Sequence, residues 1–197
     1  MHAKNLPIKT VKRIVSLYEE NRIPFFPRLL SYRAEPRKSF IEFEYIEGEL
    51  ISEADLESAF FSLGKLHSKF KITEGALFFR TLCHGDVHIK NMVNSPRGIF
   101  FIDNVNMHIG WNYTDLDYVD MFGLFDMKKF PWIIKNDGIL EAYFKGAGIK
   151  PREQETIKFR RKAAVYALKK YIRNGIKNNI DVSFEISCLN DINKFSG

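Results

Sequence analysis

Residues 81–106 read TLCHGDVHIKNMVNSPRGIFFIDNVN, and the rest of the chain is organised around them. Gly98-Ile99-Phe100-Phe101-Ile102 is a strongly apolar run that Asp103 closes. Asn94-Ser95-Pro96-Arg97-Gly98 is a turn signal, so Asn91-Met92-Val93 and Ile99–Ile102 read as two short strands joined by a tight loop. A hairpin brings its outer ends together. Asn91 and Asp103 then lie side by side, with Asp86 on the loop just before. An amide and a carboxylate that face each other can share a magnesium ion, which takes oxygen ligands and keeps substrate phosphates in its shell. The second carboxylate, Asp86, stays available to orient a hydroxyl.

Length and composition suit such a site. The chain has 197 residues, 45% of them hydrophobic and eighteen of them Phe, enough for one domain or two small lobes with an aromatic-rich core. No run approaches the roughly 20 apolar residues of a membrane span. The start, MHAKNLPIKTVKR, lacks an apolar signal core. Two cysteines, Cys83 and Cys188, give neither a disulfide framework nor a paired metal spacing, which points to a reducing, cytoplasmic setting. The net charge is +6, and residues 150–177 hold ten Lys or Arg against two Glu. A stretch of that kind attracts phosphorylated substrates, nucleic acid or an anionic membrane surface, or is simply a solvated helix face.

Outward from the hairpin, residues 7–21 read as a helix with Val11, Ile14, Val15 and Tyr18 at helical spacing. Residues 29–32 and 39–46 read as two strands, the second alternating Ile41, Phe43 and Tyr45 with Glu42 and Glu44. Residues 52–70 form the clearest helix, with Ser52 and Asp55 as a near capping box and Leu56, Ala59, Phe60, Leu63, Leu66 and Phe70 on one face. His67 on its flank reads as a hydrogen-bonded structural histidine. Residues 105–113 read as a loop facing the substrate. Thr114 caps a helix to about Phe130, which Pro131 ends. Another helix covers 137–147. A long one opens at Pro151 and runs to Asn174-Gly175, with Ile157, Ala164, Val165, Leu168, Tyr171 and Ile172 toward the core. The last twenty residues carry weak signals.

The stretch His84-Gly85-Asp86, Asn91 five residues beyond Asp86, and the later Ile102-Asp103 resemble the kinase-like phosphotransferases of the aminoglycoside phosphotransferase and choline kinase group. Glu44-Tyr45-Ile46-Glu47-Gly48 resembles the hinge of that family, Leu66-His67 the end of its following helix, and Asp115-Leu116 a later Asp-Leu. The resemblance implies an α+β, protein-kinase-like fold. Residues 1–46 would form a reduced N-terminal lobe, a helix plus a two-stranded hairpin, and residues 47–197 a helical catalytic lobe. It implies ATP and Mg2+ as cofactors, Asp86 as catalytic base, and Asn91 and Asp103 as metal ligands. His88 would stand near the transferred phosphate, and the backbone of Glu44, Tyr45 and Ile46 on the adenine edge. Asp115, or Asp117, would brace the catalytic loop. The acceptor implied is a hydroxyl of a small molecule or sugar, with no nucleic acid as partner. The chain lacks a G-x-G-x-x-G loop, and Thr10 stands where relatives carry a Glu paired to the phosphate lysine. Lys4 is the candidate for that lysine.

Two other readings stay open. One is a non-catalytic kinase-like binding module, a pseudokinase or fragment, supported by the missing phosphate loop. The other is a metallohydrolase. His84, Asp86 and His88 alternate as they would on one face of a strand, with His108 as a further ligand. Gly85 is a poor strand residue, however, and no second ligand cluster follows.

Overall fold

The computed structural model describes residues 2–19, 23–35, 38–116 and 137–194. It begins with a strand, β1 (His2–Asn5), that the two-stranded expectation lacked. Helix α1 (Ile8–Glu19) follows. The Pro7 carbonyl accepts from the Thr10 and Val11 amides, so proline closes the first turn without needing a donor of its own. Val11, Ile14 and Val15 are buried along one face of α1. Strands β2 (Leu29–Glu35) and β3 (Lys38–Phe43) pair antiparallel, with Tyr32 opposite Ile41. β1 pairs the other edge of β3, with Lys4 opposite Ile41. The N-terminal part is therefore a three-stranded sheet in the order β1-β3-β2 backed by one helix.

The chain leaves β3 through an extended stretch, 44–47, and enters β4 (Glu49–Leu50). A 3-10 turn, Glu53–Asp55, leads into α2 (Leu56–Lys69), where the Asp55 carboxylate accepts from the Ser52 amide at 2.9 Å. After β5 (Arg80–Cys83) comes the predicted hairpin, β6 (Met92–Ser95) and β7 (Gly98–Phe101), with β4 on its outer edge. Ser95 pairs with Gly98 across the two-residue turn Pro96-Arg97. Residues 108–111, expected in a loop, form strand β8 (His108–Trp111) against β5. Their four residues carry Gly110 and no alternation, so only pairing with β5 reveals them.

Among the described residues three further helices follow: α3 (Asp137–Ala147), α4 (Glu153–Lys177) and α5 (Ser183–Lys194). α5 lies in the stretch whose sequence signals are weak. α3 packs on α2 so closely that a Cβ at Gly146 would run into the Phe61 carbonyl, and one at Gly64 would lie 2.7 Å from the Ala147 amide. α4 buries Phe159, Ala163, Ala164 and Leu168, whereas Ile157, expected inward, is 52% exposed. Phe159 takes that role because it meets Phe78 face to face at 5.7 Å and Phe144 at 5.1 Å. Lys158, Lys162, Lys169, Arg173 and Lys177 are exposed, and their spacing puts them on one stripe of α4.

The fold class is thus the expected α+β, a small sheet with one helix followed by a mainly helical part. No helix of the described residues is long and apolar enough to cross a membrane. The helix expected over Thr114–Phe130 begins as a 3-10 turn, Thr114–Leu116. The remainder of that expectation, and Asp117, lie outside the described residues.

Candidate active site

The site forms where the loop 84–91 meets the end of β7. The Ile102 amide donates to the Asn91 carbonyl at 2.8 Å, and the Asn91 amide donates to the His88 carbonyl at 2.8 Å. These two bonds put the residue before Asp103 directly on Asn91, as the hairpin required. The Asn91 side-chain NH2 donates to the Asp86 backbone carbonyl at 3.1 Å and to Asp86 Oδ2 at 3.2 Å. Reversing the amide would set its oxygen against a carboxylate, so the orientation is fixed. Asn91 Oδ1 and Asp86 Oδ1 take no part in these two bonds.

Asp103 sits in the left-handed region, φ 63° and ψ 51°. That region is costly for a residue with a Cβ, and such strain collects where a side chain must be aimed. Gly85 (φ +84°) is the other left-handed position in the loop. A Cβ there would lie 2.6 Å from the Asn106 carbonyl.

His84 welds the two loops. Its Nδ1 accepts from the Asp86 amide at 3.3 Å, so the proton is on Nε2, which donates to the Ile102 carbonyl at 2.8 Å. The ring is buried between Phe26 and Phe101. Both nitrogens are spent, and 84–88 is not a strand, so the alternating metal triad of the hydrolase reading does not form. His88 Nδ1 accepts from the Lys90 amide at 3.2 Å, which leaves the proton on Nε2, 3.7 Å from Asp86 Oδ2.

Beneath the loop lies a polar centre. Asp115 accepts from the amides of His84 and Gly85, both at 2.7 Å, and from His67 Nε2–H at 3.1 Å. Burial alone would raise its pKa, but the hydrogen bonds from His67 and the Gly85 amide outweigh that and hold it below the usual value. The Tyr143 hydroxyl lies 2.9 Å from His67 Nδ1, and the Thr81 hydroxyl donates to the His67 carbonyl at 2.8 Å. Cys83, Asp115 and His67 offer donor atoms within 4.8 Å of one another. Those of His67 and Asp115 are occupied by hydrogen bonds, and burial pushes the Cys83 thiol well above its usual pKa. The cluster is a brace, not a metal centre.

In the stretch expected to be the hinge, the Glu44 amide donates to the Arg28 carbonyl at 2.8 Å, one residue beyond the paired ends of β3 and β2. Its carboxylate bridges Arg28 at 3.0 Å and Arg97 at 2.8 Å, tying the residue before β2 to the tip of the β6–β7 hairpin. The next two residues differ: Tyr45 is 66% exposed and Ile46 is buried. Lys4 stands on β1, the strand that precedes α1. Sequence reasoning missed Tyr18, Arg13 and Asn104. Asn104 Nδ2 donates to the Tyr18 hydroxyl at 2.8 Å, and Arg13 donates to the Val105 carbonyl at 2.7 Å. Both bonds span about ninety residues, so no local pattern announces them.

No family model and no curated protein matches the chain. Among solved structures it is similar to an amicoumacin kinase, hAmiN, in complex with AMP-PNP, Ca2+ and Ami. The identity is 12% and the TM-score 0.47, over 94% of this chain and 75% of that one. A likeness that weak says nothing by itself about what this chain does.

Proposed function

We propose that the chain is an ATP- and Mg2+-dependent phosphotransferase that moves the γ-phosphoryl group to a hydroxyl of a small molecule or sugar. Residues 1–46 and 47–197 would be its two lobes. One observation carries the reading: Asn91 is clamped to Asp86 by its NH2 and to Ile102 by its carbonyl, which sets Asn91, its amide oxygen outside these bonds, between the Asp86 carboxylate and the residue that precedes Asp103. This all-oxygen donor set suits a hard cation such as Mg2+.

In this reading Asn91 and Asp103 hold the metal, which neutralises charge on the phosphates. Asp86 Oδ1 accepts a hydrogen bond from the acceptor hydroxyl and aims it. His88 Nε2–H, close to Asp86, reaches toward the transferred group. The backbone of Tyr45 and Ile46 reads the adenine edge, and Lys4 supplies the phosphate cation. Glu44 contributes through its two arginine bridges. The exposed cations of α4 favour approach of anionic substrates or of an anionic membrane surface.

A second reading, nucleotide binding without turnover, has one observation in its favour. Glu19 is the single acidic residue of α1. It lies at the far end of the helix, where it accepts from the Tyr32 hydroxyl at 3.3 Å. The first three turns of α1 therefore carry no carboxylate.

The deciding experiment is thermal unfolding with ATP or ADP, with and without Mg2+, on wild type and Asp103→Ala. Nucleotide at about a hundred times Kd stabilises by about 2.7 kcal/mol. For a chain of this length that is a rise of roughly 5–11 °C. The rise should require Mg2+ and vanish in Asp103→Ala. No rise at saturating nucleotide overturns the phosphotransferase reading. A rise without phosphoryl transfer to water or any hydroxyl acceptor favours the binding module.

A further inference from the structure

We infer that Tyr18 on α1 is a positioning residue for Asp103 and acts through Asn104. The inference rests on Asp103 being a metal ligand. Asn104 directly follows Asp103 and is 1% exposed. Its Nδ2 donates to the Tyr18 hydroxyl at 2.8 Å, and that hydroxyl donates to the Pro27 carbonyl at 2.9 Å. A phenol has one hydrogen, so its donation to Pro27 fixes the direction of the chain. The phenol oxygen must accept from the amide NH2, and Asn104 Oδ1 is the atom left over. Oδ1 is buried with no hydrogen-bond partner. Burial raises the Tyr18 pKa, so the phenol keeps its hydrogen at any physiological pH.

A half-satisfied buried amide is a poor device for stability. An apolar residue of the same size would fill the space without an orphaned oxygen. What the amide supplies is direction. Asp103 is held in a left-handed conformation that its own backbone disfavours. The residues after it are tied to α1 at two points, Asn104 to Tyr18 and Val105 to Arg13. On the other side, the Phe101 amide donates to the Phe25 carbonyl at 2.7 Å. Asp103 thus sits in a short segment pinned from both ends by the N-terminal part of the chain. α1 sets where its carboxylate points.

The test uses the full chain, Mn2+ and AMP-PNP. Free Mn2+ is followed by electron paramagnetic resonance, and Tm is measured without ligand. Asn104→Leu keeps the Tyr18–Pro27 bond and removes the orphaned oxygen. Its Tm should equal or exceed wild type while its Mn2+ affinity falls at least tenfold. Tyr18→Phe should lower Tm, since it strands the Asn104 NH2 and the Pro27 carbonyl, and should weaken Mn2+ by a similar factor. The double variant should bind no more weakly than either single one, because both act through one bond. Wild-type Mn2+ affinity in Asn104→Leu, or additive losses in the double variant, overturns the inference. If wild type itself takes up no Mn2+ with the nucleotide, the metal reading of Asp103 fails first and this inference falls with it.

Discussion

His67 and Asp115, 48 residues apart in sequence, meet in full burial with Nε2–H directed at Oδ2 across 3.1 Å. The same carboxylate receives the amides of His84 and Gly85. Helix α2, the loop 84–91 and the turn after β8 are therefore joined at one anion. This explains how a loop with a left-handed glycine keeps its shape.

Replacing that anion is the sharpest stability test. Asp115→Asn retains one acceptor oxygen and turns an NH2 toward one of three donors. Hydrogen bonds to a charged group contribute about 1.5–3 kcal/mol each, and the variant leaves one of the three donors facing an NH2. We expect Asp115→Asn to lower unfolding free energy by about 3 kcal/mol in urea titration. A change under 1 kcal/mol would mean that the brace does not hold the loop.

Asp86→Asn separates binding from chemistry. The amide can still meet Asn91 after reorientation, so the nucleotide-dependent rise in Tm should survive. Loss of a positioned base lowers rate by about 10²–10⁴. Turnover falling in that range with an unchanged Tm rise is the expected pair of results. Equal loss of both would place Asp86 in the fold or the nucleotide contact instead.

The α2–α3 contact gives a prediction about packing. Gly146 lets its helix approach the Phe61 carbonyl, and a methyl group there has nowhere to go because the obstacle is backbone. Gly146→Ala would normally favour a helix, yet overpacking costs about 1–3 kcal/mol. Chemical denaturation should show net destabilisation. A gain in stability would show that the helices shift freely.

What could be read from sequence divides by the range of the contact. The hairpin at 92–101 was legible because a two-residue turn and an apolar run are local, and its closure puts Ile102, the residue before the expected Asp103, on Asn91. α1, α2 and α3 were legible from their apolar spacing. β8 was not, because His108–Trp111 carries no alternation and becomes a strand only against Arg80–Cys83. α4 was placed correctly but with Ile157 inward. Its phase is set by the stack of Phe159 on Phe78, a tertiary fact. β1 and α5 are short and weakly patterned, and the sheet and α4 induce them. In the site, His67 reads as a hydrogen-bonded residue from its place on the flank of α2, and the motif offers Asp115 or Asp117 as the brace, of which Asp115 makes the bonds described. The Tyr18–Asn104 bond was not legible, since 86 residues separate its ends.

Acid should find the brace through Asp115. Its carboxyl is held below its ordinary value, near 3.8, despite burial that acts the other way. The folded state therefore binds fewer protons at this group than the unfolded chain does as pH drops past that value. Stability rises with pH wherever the unfolded state binds more protons. The contribution of Asp115 is thus fully present well above pH 3.8 and is lost as pH falls through the depressed folded value. Asp115→Asn has no proton to take up here, so the gap between wild type and variant isolates the effect. From about pH 7 to pH 5 the Asp115 carboxyl is ionised in both states, so its own titration leaves the gap in urea midpoints unchanged over that range. Below the ordinary value the gap should narrow steadily, wild type losing its advantage as the carboxylate takes a proton and ceases to accept from His84, Gly85 and His67. A gap that stays constant down to the acid end of the titration would show that Asp115 is not held as a carboxylate by these three donors. A gap that widens would give the shift the opposite sign, with burial prevailing over the hydrogen bonds.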